Sequence, residues 1–502
     1  MSIASLDTVG NHDSLVQTVA QLQAFVDLAV QKGTPVHEVE LGLWKQLLRL
    51  GQQLLTAFFA QLGTGDLGPT LTLPDGQSVR RLEHLHSRSY VSIFGKFQLQ
   101  RTVYGSREGQ AIAFVPLDNR LHLPAQAFSY LLQDWDQALG VEQAFGQVNA
   151  TIARMLDLEQ SVDSLETMNR HMAKDVTDFR EQQPVPAPAT EGEIFAASAD
   201  GKGVVMRGAG TPALCGGHRA KGQKANQKRM AIVGTVYSVD RYVRSAADVV
   251  AALFRDQDVL PPPRPQPQNK RVWASLPLEG AEPVAAVDIV YPWLHEELRQ
   301  RNPGGQRPIV YLHDGQESLW EARRRHLPDE HAVDILDLLH VTPRLWEAAH
   351  VFHKEGSAEV VPFVRLRVQQ ILEGKVASVL RGLRRLGAHQ QISGTKKKTL
   401  QRVCRYLWNN RQRMQYDVYL RAGYPIASGV IEGACRHLVK DRMERAGMHW
   451  TPQGAQAMLD LRSTYLNGDW QDYQTYRIAR EQQRLYPHQE VVAGEAFFAM
   501  AC

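Results

Sequence analysis

The chain reads as a multidomain α/β-plus-α protein: an α/β core with an all-helical insertion, preceded by helical and β-hairpin regions. Three observations predict this. A Pro/Ala-rich linker, QPVPAPATEG at 183–192, separates two stretches of different texture. Beyond it, short apolar runs alternate with helical stretches in a β-β-α-β-α-β order, which implies a sheet covered by helices. A long, basic and helical segment then interrupts that order at 344–422.

The elements follow in sequence. Residues 1–62 carry helical periodicity, with Val16, Val19, Leu22, Phe25, Val26 and Leu28 on one apolar face. Leu41, Leu43, Leu47, Leu48, Leu54 and Leu55 form another. Across 63–125, Gly68-Pro69 and Pro74-Asp75-Gly76 turns separate β-rich runs such as 90–94 and 97–99, which predicts a small basic hairpin element. Residues 126–182 return to a helical pattern broken near Gly140 and 157–161. Three short helices with tight turns would suit a helix-turn-helix, although the last is acidic on balance. After the linker, strands are expected at Ile194–Ala199, Met230–Val239, Ile309–Leu312 and Val333–Leu339, with helices near 284–301 and 316–326. Residues 193–343 and 423–450 form the two parts of the core, the second a helix from Gly429 to Met443, and 451–502 form a helical tail.

Composition narrows the function classes. No stretch reaches the roughly 18–20 apolar residues that span a bilayer, and the start lacks a secretory pattern. Four scattered cysteines without a CxxC pair point to a reducing cytosol rather than a disulfide framework or cysteine-rich zinc site. Walker-type loops and a GxSxG elbow are absent, so neither a nucleotide cofactor nor serine hydrolase chemistry is expected. The net charge of +4 hides an asymmetry: residues 341–450 hold 20 Lys+Arg against 8 Asp+Glu, and the remainder sums to −8. A basic segment in a mildly acidic chain is the footprint of a polyanion-binding surface.

Candidate chemistry sits where apolar runs end in Asp-Gly. Ile194–Ala199 is followed by Asp200-Gly201, and Ile309–His313 by Asp314-Gly315. Strand ends of an α/β sheet gather ligand chemistry, and a glycine beside the carboxylate would admit a metal or phosphate. Asp-Gly is also an ordinary turn, so two in one sheet matter more than either alone. Glu432 is a third acid, with Arg436 and Lys440 following at intervals of four, one helix face. Three carboxylates suit two divalent ions, Mg2+ with Mn2+ as substitute, in an in-line phosphodiester displacement.

Several long motifs then occur in order. They are Ser198-Ala199-Asp200-Gly201-Lys202-Gly203-Val204, Val233–Tyr237, Lys270–Ser275, Asp337-Leu338-Leu339-His340 and the run from Gly423 to His437. Together they resemble the ISKra-type insertion-sequence transposases of the DDE superfamily, densely over about 190–470 and more loosely before. The resemblance implies a ribonuclease-H-like catalytic core with Asp200, Asp314 and Glu432 as catalytic and metal-binding acids. Asp200 would follow the first core strand and Asp314 the fourth, and Glu432 would lie on the helix that closes the site. Intervals of 114 and 118 residues separate them; the second is too long for a bare core, which implies the insertion. Asp337 and His340 match a (Cys/Asp)xxHis motif and, with Arg436 and Lys440, are expected behind the acids or against DNA. Asp334 is a rival acid.

Implied partners are double-stranded DNA, as terminal inverted repeats and target, and a second copy of the chain in a synaptic complex. Such a protein would be cytoplasmic and nucleoid-associated when bound. DNA contacts are expected from Arg80, Arg81, Arg88, Lys96 and Arg101 in the hairpin region. Arg219, Lys221 and Lys224 in the polar 218–229 loop, and Lys396, Lys397 and Lys398 in the insertion, should add phosphate contacts. The insertion aromatics Trp346, Tyr406, Trp408, Tyr416 and Tyr419 are expected in its core. Two other readings stay open: a stand-alone metal-dependent nuclease on the same fold, and a domesticated DNA-binding protein without activity.

Overall fold

A computed structural model describes residues 11–107, 109, 111–207, 228–256, 263–327 and 332–492, with side chains from residue 17 onward. The chain forms two compact units, residues 1–179 with 470–502, and residues 180–469.

The first unit opens with α1 (Asn11–Lys32) and α2 (Val36–Leu62), packed as a hairpin. Gly33, at φ +62°, makes the reversal, and Thr34 donates back to the Ala29 carbonyl at 2.9 Å. Much of the apolar surface read from the sequence is exposed, including Val19, Val26, Leu28, Leu41, Leu47 and Leu54, whereas Leu48 is buried. Strands β1 (Thr70–Thr72) and β2 (Ser78–Arg81) precede the hairpin of β3 (His86–Ser92) and β4 (Gly95–Arg101), and β5 (Tyr104–Gly105) returns to pair with β2. Then come α3 (Pro116–Leu121), α4 (Tyr130–Gly140), α5 (Phe145–Leu156), α6 (Val162–Met172) and α7 (Val176–Glu181). Ser129 and Ser161 cap α4 and α6 through their hydroxyls, and α4, α5 and α6 pack on one another. The α-helix Trp470–Leu485 also belongs to this unit. Its Trp470 indole donates to Asp134 at 2.7 Å, and Arg484 grips both oxygens of Asp175 at 2.6 and 2.9 Å.

The second unit is built on five strands: β6 (Ile194–Val205), β7 (Lys228–Val239), β8 (Gln268–Ser275), β9 (Ile309–His313) and β10 (Val333–Leu336). Their order is β10-β9-β6-β7-β8, with β6, β7 and β8 antiparallel and β6, β9 and β10 parallel. Alternation along β6 divides the core. Ile194 and Ala196 face one cluster, and Phe195, Ala197 and Ala199 the other. Helices α8 (Ala246–Phe254), α9 (Val287–Arg301) and α10 (Glu317–His326) lie between strands in the chain; α9 and α10 cover the second face. On the first face, α11 (Leu338–Phe352), α12 (Val360–Leu372), α13 (Val376–His389), α14 (Gly394–Asn409) and α15 (Tyr416–Ala422) share one apolar core with the sheet. A helical insertion this large therefore needs no separate core of its own. The chain closes through α16 (Gly429–Ala434), a π-helical turn at Cys435–Lys440, α17 (Asp441–Met443) and α18 (Pro452–Leu466).

Three expectations change. β6 does not stop at Ala199: it continues beside β7 to Val205, so Asp200 lies within a strand, opposite Val233. β10 ends at Leu336 rather than 339, because the Asp337 carboxylate accepts the Leu339 N–H at 2.8 Å and starts α11. α11 then runs through Pro343, across the limit expected between core and insertion. No helix among the described residues is long and apolar enough to cross a membrane.

Candidate active site

The register of the central strands explains why the two aspartates meet. β6 pairs with β9 as Phe195 with Ile309 and Ala197 with Tyr311, an offset of 114 residues. Asp200 and Asp314 are separated by that same offset, so Asp200, within β6, and Asp314, just past the end of β9, fall side by side. Side chains extend the pairing beyond the ladder. The Ser198 hydroxyl donates to the Leu312 carbonyl, and the Ala199 N–H donates to His313 Nδ1 at 3.2 Å.

His313 is the residue that sequence reasoning passed over. It is buried, and its Nε2 meets the Tyr291 hydroxyl at 3.3 Å. Burial, reinforced by the fields of Arg323 and Arg413, pushes its pKa down to about 3, so the ring is neutral. With Nδ1 accepting, the proton sits on Nε2 and points to Tyr291. The signal was a lone histidine immediately before Asp314 in an otherwise apolar strand.

Each acid is tethered locally. Asp200 Oδ1 accepts the Gly201 N–H at 2.7 Å, and the Cys435 thiol lies 3.5 Å from Oδ2. Asp314 Oδ1 accepts the Gln316 N–H at 2.8 Å, and the Trp320 indole donates to the Asp314 carbonyl at 2.8 Å. Burial raises the Asp314 pKa; the Gln316 N–H opposes this, and the Asp200 and Asp337 charges add to it. Glu432, exposed on α16, is raised by burial of its carboxyl, by Asp337 and by Asp200, against His340. Burial drives the Cys435 thiol up, with Asp200 and Glu432 pushing the same way. The Asp200 charge thus acts on both Asp314 and Glu432.

Asp337 is the hub beneath them. It is fully buried, and its Oδ2 accepts from His340 Nδ1 at 3.1 Å and from the Ser428 hydroxyl. Its own N–H donates to the His313 carbonyl at 2.9 Å. Asp337 thus joins three elements, its N–H reaching β9 and its carboxylate reaching α11 and the start of α16. The bond to Asp337 raises the His340 pKa, against burial, and Asp337, Asp314 and Asp200 charges add to it. Ligand atoms of Asp337, His340 and Glu432 all lie within 4.8 Å of one another and could hold a metal ion. That group shares only Glu432 with the sequence trio, and both Asp337 oxygens already accept hydrogen bonds. The rival acid Asp334 pairs with Arg323 at 3.2 Å.

Gly315 departs from its expected use. A Cβ there would lie 2.3 Å from the Tyr406 ring of α14, so the close approach is made by the insertion. Arg344 covers the same ring at 5.1 Å. Trp346, Tyr406, Tyr416 and Tyr419 pack in the core as expected, but Trp408 is exposed, with the Arg411 guanidinium 3.9 Å from its ring.

The basic residues divide. Arg80, Lys96, Lys396, Lys397 and Lys398 are exposed, as are Arg436 and Lys440 beside Glu432. Arg436 lies 3.5 Å from Asp441, and the π-helical turn shifts the interval that placed Lys440 in line. Arg81 pairs with Asp66. Arg88 and Arg101 turn inward instead of outward: both guanidinium groups meet Asp118 Oδ2, with side chains only 16% and 13% exposed. An arginine pair anchored on a buried carboxylate is an internal clamp, not a free phosphate contact. Arg219, Lys221 and Lys224 lie outside the described residues.

No protein-family model matches the chain, and no curated protein matches it. Among solved structures it is similar to a Drosophila P element transposase strand transfer complex, at 11% identity, over 75% of this chain and 88% of that one. The TM-score is 0.23, too low for the likeness to establish a shared fold.

Proposed function

We propose that the unit of residues 180–469 contains, at 193–343 and 423–450, the ribonuclease-H-like core of a DDE transposase of the ISKra type, with 344–422 as its helical insertion. It would bind inverted-repeat DNA ends and catalyse metal-dependent cleavage and strand transfer. The observation that carries this reading is that Asp200 on β6 lies near both Asp314, just after β9, and Glu432, on α16, so that its charge raises the pKa of each. Asp314 follows the fourth strand, as the resemblance implies, whereas Asp200 lies within the first strand rather than after it. An all-oxygen set suits Mg2+ or Mn2+, and two ions would supply an activated water and neutralise charge on the scissile phosphate.

The chain's own residues then have separable tasks. Asp200 and Asp314 are fixed by the β6–β9 register, and Glu432 approaches from α16. Asp337 orients His340 through Nδ1, leaving Nε2 for a phosphate or water. Exposed Lys396, Lys397 and Lys398 bind the DNA backbone without reading sequence. The reaction is hydrolysis of an end phosphodiester, followed by attack of the freed 3′-hydroxyl on target DNA, with no covalent protein intermediate.

The test is cleavage of DNA carrying the element's ends, with Mg2+ or Mn2+. Asp200→Ala, Asp314→Ala and Glu432→Ala should each lower cleavage by roughly 10³-fold while end binding persists. Near-normal cleavage in any variant removes that acid from the site. Wild-type cleavage without joined products favours the nuclease, and no cleavage at all favours the inactive DNA-binding protein.

A further inference from the structure

A second polar site lies in the 180–469 unit, lined by none of the three acids. It is a cavity of about 390 Å3 between the end of β7, residues 242–244, the loop at 264–267 and the run 423–430 that leads into α16. Two guanidinium groups line it, Arg244 and Arg264.

Arg244 is half-buried, and its buried Nε has no hydrogen-bond partner. Its guanidinium sits 4.6 Å from the Tyr242 ring and donates one long bond, 3.4 Å, to the Tyr424 carbonyl. Nearby carboxylates are engaged elsewhere. Asp248 accepts both the N–H and the hydroxyl of Ser245 at 2.7 Å, as the cap of α8. Asp240, which lines the cavity, accepts from the Glu193 N–H and from Gln268 at 3.3 Å each. Arg264 lines the same cavity as Arg244, so two like charges face one space with no ion pair to either among the described residues.

Arg244 is drawn partly out of water with only a carbonyl and an aromatic ring to meet it, and the like charge of exposed Arg264 beside it adds to the cost. An anion with several acceptor oxygens removes the penalty, and a guanidinium fork matches phosphate geometry. We propose that this cavity binds a phosphate group, with Arg244 and Arg264 as its donors. The volume admits a sugar or base beside the phosphate, and Tyr242 offers an aromatic face. The phosphate comes either from the DNA backbone or from a small phosphorylated molecule. Because 423–430 contains Ser428, which bonds Asp337, an occupant would touch the segment that carries Glu432 into place.

The experiment uses the full chain without divalent metal, so it stands apart from the cleavage reading. Thymidine 3′,5′-bisphosphate, one nucleotide's worth of DNA backbone, is titrated calorimetrically against wild type, Arg244→Gln and Arg264→Gln. Wild type should bind one equivalent, and each variant should bind about 10-fold more weakly. Arg264 is exposed on a loop, so its variant keeps the test open if Arg244→Gln melts early. Absence of saturable binding by wild type, or equal binding by Arg264→Gln, overturns the proposal. The source is then read from duplex DNA affinity against salt. A slope reduced by about one in Arg264→Gln assigns the phosphate to DNA, and an unchanged slope assigns it to a small molecule.

Discussion

At the scale of single residues, the acids depend on neighbours that have no charge to offer. His313 ties β6 to β9 just before Asp200 and Asp314, bonding Ala199 on one side and Tyr291 on the other. His313→Leu strands the Ala199 N–H and the Tyr291 hydroxyl, a loss of about 1–3 kcal/mol per unmet buried group. Cleavage should fall by roughly 10–100-fold, as for groups that orient ligands from behind. His313→Asn, whose amide oxygen can replace Nδ1, should recover part of the cleavage. Equal cleavage by all three proteins would show that the staple does not position the acids. Because the folded pKa lies at about 3 and the ordinary value is 6.5, the folded state prefers the neutral ring. Its contribution is complete above pH 6.5 and is lost as pH falls toward 3. Thermal melts of wild type should therefore drop more steeply over that interval than those of His313→Asn. The aspartates were legible because Asp-Gly after an apolar run is a local pattern. His313 was not, because a histidine's role depends on which atoms meet its two nitrogens across the sheet. Arg88 and Arg101 misled for the same reason: their partner, Asp118, lies outside the hairpin that made them look like DNA contacts.

At the scale of elements, the insertion acts on the site as well as lengthening the chain. The sequence marked 344–422 as helical and basic without placing its separate helices. It could not reveal that they share an apolar core with the sheet, or that Tyr406 lies against Gly315. That contact makes a prediction. Gly315→Ala places a Cβ into the Tyr406 ring, and overpacking of this kind costs about 1–3 kcal/mol. The loop that begins with Asp314 must then shift or α14 must yield, and cleavage should fall with it. Tyr406→Phe leaves the clash, whereas Tyr406→Ala in the Gly315→Ala background opens the space. A double-mutant cycle measured by thermal melting should therefore show coupling above about 0.5 kcal/mol. Additive effects would mean that the loop and α14 relax independently. The π-helical turn after α16 was equally hidden, because Glu432, Arg436 and Lys440 at intervals of four describe a regular helix equally well.

At the scale of the whole molecule, the Pro/Ala linker near 183–192 lies close to the point where the contact units divide, yet the end of the chain returns to the first unit. Nothing local in 470–485 announces this; its partners lie more than 300 residues earlier. Trp470 reaches Asp134, Arg477 reaches Gln133 at 3.1 Å, Tyr473 reaches the Met172 carbonyl and Arg484 reaches Asp175. Gln133 and Arg477 are both buried, so losing Arg477 removes the donor to the buried Gln133 Oε1. A chain ending at residue 469 should therefore keep the five-stranded sheet and its acids but lose stability around α4 and α6. Limited proteolysis should cut it first between residues 126 and 182, well before the 193–466 region, and the full chain should resist both. This outcome bears on end recognition, which we assign to the first unit because a core that accepts any target sequence contacts DNA through phosphates. If that assignment is right, the shortened chain should lose preference for element ends over random duplex in competition while retaining salt-sensitive binding to both. If it still discriminates between them, sequence reading resides in residues 180–469, and the exposed lysines of α14 become the first positions to replace.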